Sequence, residues 1–301
     1  MFLYYILKPV LFLLGHTPRF ILDGIGKFLA FFAWHFSKSR RHVAMVNAKI
    51  LGAKDPKKTA RKSFNYTFMA YLEMFYSNNI NKKFVDKYVT VEGLEIYNNL
   101  KDKEKEIFFI GGHFGVWGML APIVHYATGI KFVTIGRSTK NEVYDKILDD
   151  FRRTEGVEYI THRGAIEKLS QFMNEGYHPG VYIDHTALPK DCINADFCGY
   201  KVPVIAGIPA MCARKNYPII FFFGINEGRK IRVVLDGPVY PDKTLPPRER
   251  ITKLAEDINK VYEKMYRKYP EQWYLIHRRF KRVEMPDGHM SEHVYEEKEH
   301  E

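Results

Sequence analysis

Short apolar runs alternate with amphipathic stretches from residue 88 onward. Strands are predicted where the runs are apolar and bounded by polar residues, at 88–91, 107–110, 130–135, 157–160, 180–183, 219–223 and 231–235. Helices are predicted at the amphipathic stretches 142–153, 165–175 and 248–268. This alternation is typical of a mostly parallel sheet with crossover helices. We therefore predict an α/β fold.

Residues 1–36 are the most hydrophobic part of the chain. Pro9 and Pro18 are expected to break any long helix there. No uncharged run approaches the ~18 residues of a spanning helix, because charged residues recur at Lys8, Arg19, Asp23 and Lys27. The segment predicts apolar helices that lie in a membrane interface, with ordinary core helices as the alternative.

Three regions follow from these patterns. Residues 1–87 are predicted to form a helical segment apposed to a membrane, including a helix at 59–77, a break at Asn78–Asn79 and a polar connection over 81–87. Residues 88–282 are predicted to form the α/β domain. The charged stretch 283–301 is predicted to be a disordered tail.

The charge of the chain indicates an anionic partner. Its net charge is +11, which is compatible with nucleic acid, anionic lipid, an acidic carrier protein or a phosphorylated substrate. A basic block directly follows the apolar segment, at Lys38, Arg40, Arg41, His42, Lys49, Lys54, Lys57, Lys58, Arg61 and Lys62. Apolar residues beside a basic block suit attachment to an anionic membrane. No nucleic-acid-binding motif accompanies the charge, so nucleic acid is the last choice.

A histidine stands where the second predicted strand ends. Gly111 and Gly112 break the strand, and His113 follows at once. Open α/β sheets bind ligands at the carboxyl ends of their strands, and histidine exchanges protons near neutral pH. Glycines at this point, including Gly115, allow the backbone to approach a ligand closely. The alternative is a histidine that caps the next helix.

Three further blocks carry candidate chemistry. Arg137 follows the strand at 130–135 and is placed either to bind phosphate or to form a surface ion pair. Asp184 and His185 follow the strand at 180–183, where the carboxylate can orient an imidazole or cap a helix. The last block runs from Pro-Glu-Gln-Trp at 270–273 to His-Arg-Arg-Phe-Lys at 277–281. The three cysteines lack CxxC spacing, so neither a disulfide framework nor a zinc site is predicted.

At these blocks the sequence resembles the lysophospholipid acyltransferase superfamily, and within it the bacterial late acyltransferases of lipid A biosynthesis. That family carries His-Phe-Gly after a strand, an arginine after the next strand, an Asp-Gln or Asp-His pair, and a Phe-Phe-Gly-like segment followed by a proline. A Pro-Glu-Gln-(Trp/Tyr)…His-Arg-Arg-(Phe/Trp)-Lys signature closes it. Here the corresponding residues are His113-Phe114-Gly115, Arg137, Asp184-His185, Phe197-Cys198-Gly199 with Pro203, and the block at 270–281.

The resemblance implies a glycerolipid acyltransferase-like fold and an enzyme that moves a fatty acyl group from an acyl thioester to a hydroxyl of a glycolipid, such as a lipid A precursor. The donor would be an acyl carrier protein or acyl-CoA, and neither a cofactor nor a metal is required. His113 would be the general base and Asp184 its partner, Arg137 would bind phosphate, and Gly112, Gly115, Arg278 and Arg279 are candidates for substrate contact. The expected location is the cytoplasmic face of the inner membrane.

One position departs from the family pattern. The acidic residue expected five positions after His113 is Gly118. Three explanations stay open: Asp184 or another carboxylate substitutes, His113 acts weakly alone, or the chain is a catalytically silent lipid-binding homologue. If only the orienting carboxylate is missing, Gly118→Glu should raise turnover.

Overall fold

The computed structural model describes residues 2–136, 138–139, 141–162, 164–186 and 191–296. Its centre is a sheet in the strand order β1-β9-β8-β2-β5-β3-β4. The strands are β1 (Val89–Glu92), β2 (Phe108–Gly111), β3 (Phe132–Gly136), β4 (Val157–Thr161), β5 (His178–Tyr182), β8 (Ile219–Glu227) and β9 (Lys230–Val239). Adjacent strands in the run β8-β2-β5-β3-β4 are parallel, and β1 is parallel to β9, whereas β9 runs antiparallel to β8. The predicted α/β fold with a mostly parallel sheet is confirmed.

The central strand β2 is buried on both faces. Phe108 and Ile110 belong to one hydrophobic cluster, and Phe109 belongs to another. Side chains alternate between the two faces of a strand. The continuous apolar run therefore places apolar side chains against the helices on both faces of the sheet. This is why β2 appears in the sequence as an unbroken hydrophobic run.

Helices cover both faces of this sheet. Those that follow β1 are α6 (Leu94–Leu100), α7 (Leu120–Thr128), α8 (Glu142–Arg152), α9 (Ala165–Asn174), α10 (Gly207–Lys215) and α11 (Pro247–Lys268). The predicted helices at 142–153, 165–175 and 248–268 correspond to α8, α9 and α11. Helix α11 buries Tyr262 and Tyr266 beneath the carboxyl end of β2, where the Tyr262 hydroxyl donates to the carbonyl oxygen of Gly111 at 2.5 Å.

Five helices precede the sheet, namely α1 (Phe2–His16), α2 (Arg19–Phe36), α3 (Lys38–Ile50), α4 (Pro56–Tyr76) and α5 (Lys82–Tyr88). Pro18 separates α1 from α2 as predicted, but Pro9 lies inside α1 and does not end it. Pro9 removes one backbone hydrogen bond from α1. The packing of α1 on α4 and α8 stabilises the helix in spite of this loss.

The connection predicted over 81–87 is instead helix α5. The Asn81 side chain caps it by accepting a hydrogen bond from the backbone N–H of Phe84 at 3.1 Å. Phe84 and Val85 are buried, so two apolar residues within a polar stretch are enough to fix a short helix against the core.

The prediction of a disordered tail is wrong for residues 283–296. They form strands β10 (Val283–Glu284) and β11 (Met290–Ser291) and a short 3₁₀-helix. These strands join the hairpin β6 (Cys192–Phe197) and β7 (Tyr200–Ile205) in a second, antiparallel sheet. The Tyr295 hydroxyl donates to Asn47 Oδ1 at 2.7 Å, which ties the tail to α3. Residues 297–301 lie outside the described residues.

The outer faces of α1 and α2 expose large apolar side chains. Each of these is more than half exposed: Tyr5, Ile6, Val10, Phe12, Leu13, Phe20, Phe28, Phe31 and Phe36. Within the part of the chain that the structure describes, no helix combines the length and the apolar character needed to cross a bilayer. We call these nine residues the exposed aromatic surface.

Candidate active site

The sheet register brings His113 and Asp184 together. Gly111 at the end of β2 pairs with Tyr182 at the end of the neighbouring parallel strand β5. His113 and Asp184 each lie two residues beyond these partners, so both leave the same edge of the sheet side by side. The His113 Nδ1 atom lies 2.8 Å from Asp184 Oδ1. The two residues predicted as the base and its partner are therefore in direct contact.

Asp184 is buried and accepts hydrogen bonds from several donors. Its Oδ2 atom accepts from the backbone N–H of His113 at 2.9 Å, from the Tyr266 hydroxyl at 3.1 Å and from Trp273 Nε1 at 3.1 Å. Burial alone would raise the pKa of Asp184, but the charge and hydrogen bonds of His113 hold that pKa well below its usual range. The carboxylate is therefore ionised and fixed in position.

This contact determines how the His113 ring is used. An ionised carboxylate can only accept, so Nδ1 carries the proton that it donates to Asp184. In the neutral ring, Nε2 then has its lone pair free to accept a proton. The same arrangement of carboxylate, imidazole and open nitrogen activates hydroxyl groups in other enzymes.

His113 lines a cavity of about 590 Å³. Apolar side chains form much of its wall, among them Met74, Ala121, Leu169, Ile208, Met211 and Phe222. Arg152 from α8 is a cation in this wall, and its Nη1 atom donates to the Tyr159 hydroxyl at 2.8 Å. The volume and the mostly apolar lining with few polar groups are typical of a site for a small organic ligand.

Gly118 packs against the backbone of α4. A Cβ atom at this position would lie 2.3 Å from the carbonyl oxygen of Ala70 and 3.1 Å from the backbone nitrogen of Met74. Backbone atoms of a helix cannot move aside as a flexible side chain does, so the site excludes a larger residue. This geometry rejects the expectation that Gly118→Glu raises turnover, and it leaves Asp184 in the position of the orienting carboxylate.

The glycines next to His113 have packing roles. A Cβ atom at Gly112 would lie 2.0 Å from the Tyr266 hydroxyl, and one at Gly115, where φ is +55°, would lie 1.9 Å from the carbonyl oxygen of Gly224. Among the residues described here, neither glycine lines the cavity. The structure therefore gives Gly112 and Gly115 close contact with the protein instead of the predicted contact with substrate.

Two of the three predicted arginines are described, and neither lines the cavity. Arg137 lies outside the described residues. Arg279 is buried, with its Nη1 donating to the carbonyl oxygen of Pro203 at 2.6 Å and its guanidinium 5.2 Å from the Phe197 ring centroid. Arg278 is exposed and donates to Ser39 Oγ at 3.1 Å. Neither Arg278 nor Arg279 lines the cavity as it is described, so their contacts stabilise the fold instead of a substrate.

Two further histidines, His185 and His277, stack beside His113. The centroids of His113 and His185 are 3.7 Å apart, and those of His185 and His277 are 4.1 Å apart. Both residues stand in the sequence motifs, but the motifs alone predict a role for neither. The adjacency of Asp184 and His185 was the signal for the first, whereas no local pattern places His277 beside it.

His113, Asp184 and His185 also form the group of possible metal ligands in the described chain, with ligand atoms within 4.8 Å of one another. The rings of His113 and His185 are nearly parallel, at 6°. Lone pairs of imidazole lie in the ring plane, so those of two stacked rings run side by side and do not converge on one ion at the ~2.0 Å distance that zinc requires. The arrangement fits a proton acceptor better than a metal site.

No curated protein matches the sequence. The fold is similar to the crystal structure of the 1-acyl-sn-glycerophosphate (LPA) acyltransferase PlsC from Thermotoga maritima, with 13% sequence identity, a TM-score of 0.37, and coverage of 82% of this chain and 98% of that chain. The family model described as bacterial lipid A biosynthesis acyltransferase matches residues 1–282. The chain therefore belongs to the bacterial lipid A biosynthesis acyltransferases, a family of enzymes that transfer acyl groups.

Proposed function

We propose that this enzyme moves a fatty acyl group from an acyl thioester to a hydroxyl of a glycolipid such as a lipid A precursor. The observation that carries the proposal is the contact of His113 Nδ1 with the buried Asp184 at the wall of a largely apolar cavity. The contact leaves Nε2 as the proton acceptor, and the cavity offers room for lipid.

The reaction follows from this arrangement. His113 Nε2 takes the proton of the acceptor hydroxyl while the oxygen attacks the carbonyl carbon of the thioester. Asp184 stabilises the imidazolium that forms. When the tetrahedral intermediate collapses, the C–S bond breaks and the leaving sulfur takes the proton back from His113. The products are the ester and the free thiol, and His113 returns to its starting state.

The cation in the cavity wall is evidence that the substrate carries an anionic group. Arg152 lies in the wall beside Tyr159, and a guanidinium binds phosphate strongly. Arg137, the residue first proposed for phosphate, follows directly after β3, and a role for it stays a proposal. We infer that a phosphate of the acceptor glycolipid is bound at this end of the sheet.

The position of Asp184 supports activity over a catalytically silent lipid-binding role. That alternative rested on the missing carboxylate at Gly118. A buried aspartate at 2.8 Å from the imidazole supplies the same charge from the neighbouring strand.

Purified enzyme in detergent, supplied with a labelled acyl thioester and a phosphorylated glycolipid that has a free hydroxyl, should form the labelled ester. His113→Ala should abolish it. The matched control is His289→Ala, since His289 Nδ1 also contacts an aspartate, Asp287, at 2.5 Å, but both residues are exposed. If both variants form as much product as the unmodified enzyme, the role of His113 is refuted. If the unmodified enzyme forms no product, the proposed function is refuted.

The donor is proposed to be an acyl carrier protein or acyl-CoA. The net charge of +11 favours an acidic carrier protein, whose docking would weaken as salt screens the charges. KM for the carrier-bound donor should therefore rise steeply between low and high salt. A KM that does not change with salt would contradict recognition of the donor through these charges.

The exposed aromatic surface supports attachment to a membrane, with the cytoplasmic face of the inner membrane as the proposed location. Phe20, Phe28 and Phe36 lie on α2 and are among its most exposed members. Large apolar side chains exposed together on one helix are typical of a binding face. Replacing the three with serine should release the protein from vesicles that contain anionic lipid in a flotation assay, whereas Tyr240→Ser, at an exposed position directly after β9, should not. Flotation that is unchanged in the triple variant would contradict membrane attachment through this surface.

A further inference from the structure

The middle ring of the histidine stack lies flat against His113. The planes of His113 and His185 are inclined by only 6° at a centroid separation of 3.7 Å. His277 lies on the opposite side of His185, with the planes at 23° and the centroids 4.1 Å apart. His185 is therefore held between two other imidazoles.

His113 needs a contact of this kind because its hydrogen bond fixes only one edge of the ring. Asp184 holds Nδ1, and Gly118 has no side chain with which to hold the ring further. Trp117 and Tyr182 approach His113 at interplanar angles of 62° and 66°. Of the aromatic neighbours described for His113, His185 is the one that stacks in parallel.

We propose that His185 is a positioning residue: its neutral ring fixes the plane of His113, so that Nε2 faces the acceptor hydroxyl, and stabilises the imidazolium that forms there. The inference rests on the proposed function. It assigns to His185 the orienting work that the absent side chain at position 118 cannot do.

The surroundings of His185 keep it uncharged. Burial lowers its pKa well below the ordinary value, and the charge of His113 beside it lowers the pKa further. His277 Nε2 accepts a hydrogen bond from the backbone N–H of Thr186 at 3.1 Å, which requires an unprotonated nitrogen. A neutral π face opposite a newly formed cation is attractive, whereas a second cation would repel it.

The test uses three variants at one position. His185→Ala and His185→Gln remove the aromatic face, and each should lower kcat about tenfold while KM for both substrates changes less than twofold. His185→Phe restores a flat ring without a titrating nitrogen, and its kcat should stay within about threefold of the unmodified enzyme. The matched control is His289→Ala, an exposed histidine outside the described cavity wall, for which kcat should be unchanged.

Two results would overturn the inference. One is a His185→Ala enzyme with full kcat. The other is a His185→Gln enzyme that keeps its kcat while His185→Phe loses it, because a polar atom of His185 would then matter instead of its face. Melting temperatures of all variants show that kcat is compared between folded proteins. If the three His185 variants have the same kcat as the unmodified enzyme while His113→Ala is inactive, the proposed function stands and the inference fails.

Discussion

Restoring the family's acidic residue at position 118 should damage this enzyme. In Gly118→Glu or Gly118→Ala, the new Cβ atom would lie 2.3 Å from the Ala70 carbonyl oxygen and 3.1 Å from the Met74 backbone nitrogen. Both atoms belong to α4, a helix of 21 residues packed on α2 and α3. Either α4 or the segment that carries His113 must shift.

The cost follows from the overpacking. Inserting atoms into a well-packed interior lowers the free energy of unfolding by about 1–3 kcal/mol, which corresponds to a fall of roughly 2–5 °C in melting temperature for a protein of this size. Glutamate adds more atoms and a charge at the same crowded position, so Gly118→Glu should be the less stable of the two. Turnover should fall in both because His113 lies only five residues away.

The assay is thermal unfolding alongside steady-state turnover, with Gly24→Ala as the control. Gly24 lies in α2 with nothing within 4 Å of its Cβ position, and alanine at such a helical position raises stability by about 0.5–1 kcal/mol. The two alanine variants should therefore move in opposite directions. A Gly118→Glu enzyme with an unchanged melting temperature and faster turnover would refute the reasoning.

Three further predictions concern stability. Burial lowers the pKa of His277 to about 4, so the unfolded chain binds a proton at this residue below about pH 6.5 that the folded protein does not. His277 should therefore contribute a loss of about 2 kcal/mol in the free energy of unfolding between pH 7 and pH 5. His277→Gln should remove that share of the loss, measured by denaturant unfolding at the two pH values. Arg19→Ala should lower the free energy of unfolding by about 3–5 kcal/mol, because the buried Glu73, whose Oε1 now lies 2.8 Å from Arg19 Nε, loses its charge partner. Replacing both residues with apolar ones should lower it by less. Equal losses in the two variants would contradict the argument. Tyr295→Phe should cost about 1–3 kcal/mol in the same assay by leaving the buried Asn47 without a donor; no change would show that the tail does not stabilise α3.

The sheet could be predicted from sequence where its strands are continuous apolar runs. Strand β2 is such a run because both of its faces are covered. The hairpin of β6 and β7 was missed because its burial is partial and polar residues interrupt it. Its partner β10 adds only two residues, and a pairing that short leaves no periodic signal.

Half of the candidate site could be predicted in the same way. His113 and Asp184 each follow a strand, and strand ends meet at one edge of a parallel sheet. The role of Gly118 depends on the backbone of α4, about 45 residues away in the chain, and no local pattern records that contact. Arg279 was a candidate for structure or for substrate contact, and the sequence could not decide because its carbonyl and aromatic partners come from the β6–β7 hairpin that the sequence did not reveal.

The account depends on His113 and Asp184 acting as one unit. Its most direct test is a double-mutant cycle in kcat, with folded protein measured by circular dichroism. Asp184→Asn should lower kcat by about 10³–10⁴, as expected when the carboxylate that sets the imidazole tautomer is lost. Adding it to His113→Ala should cause no further loss, because residues that act as a unit are not additive. An Asp184→Asn enzyme within twofold of normal kcat, or losses that multiply in the double variant, would contradict the account.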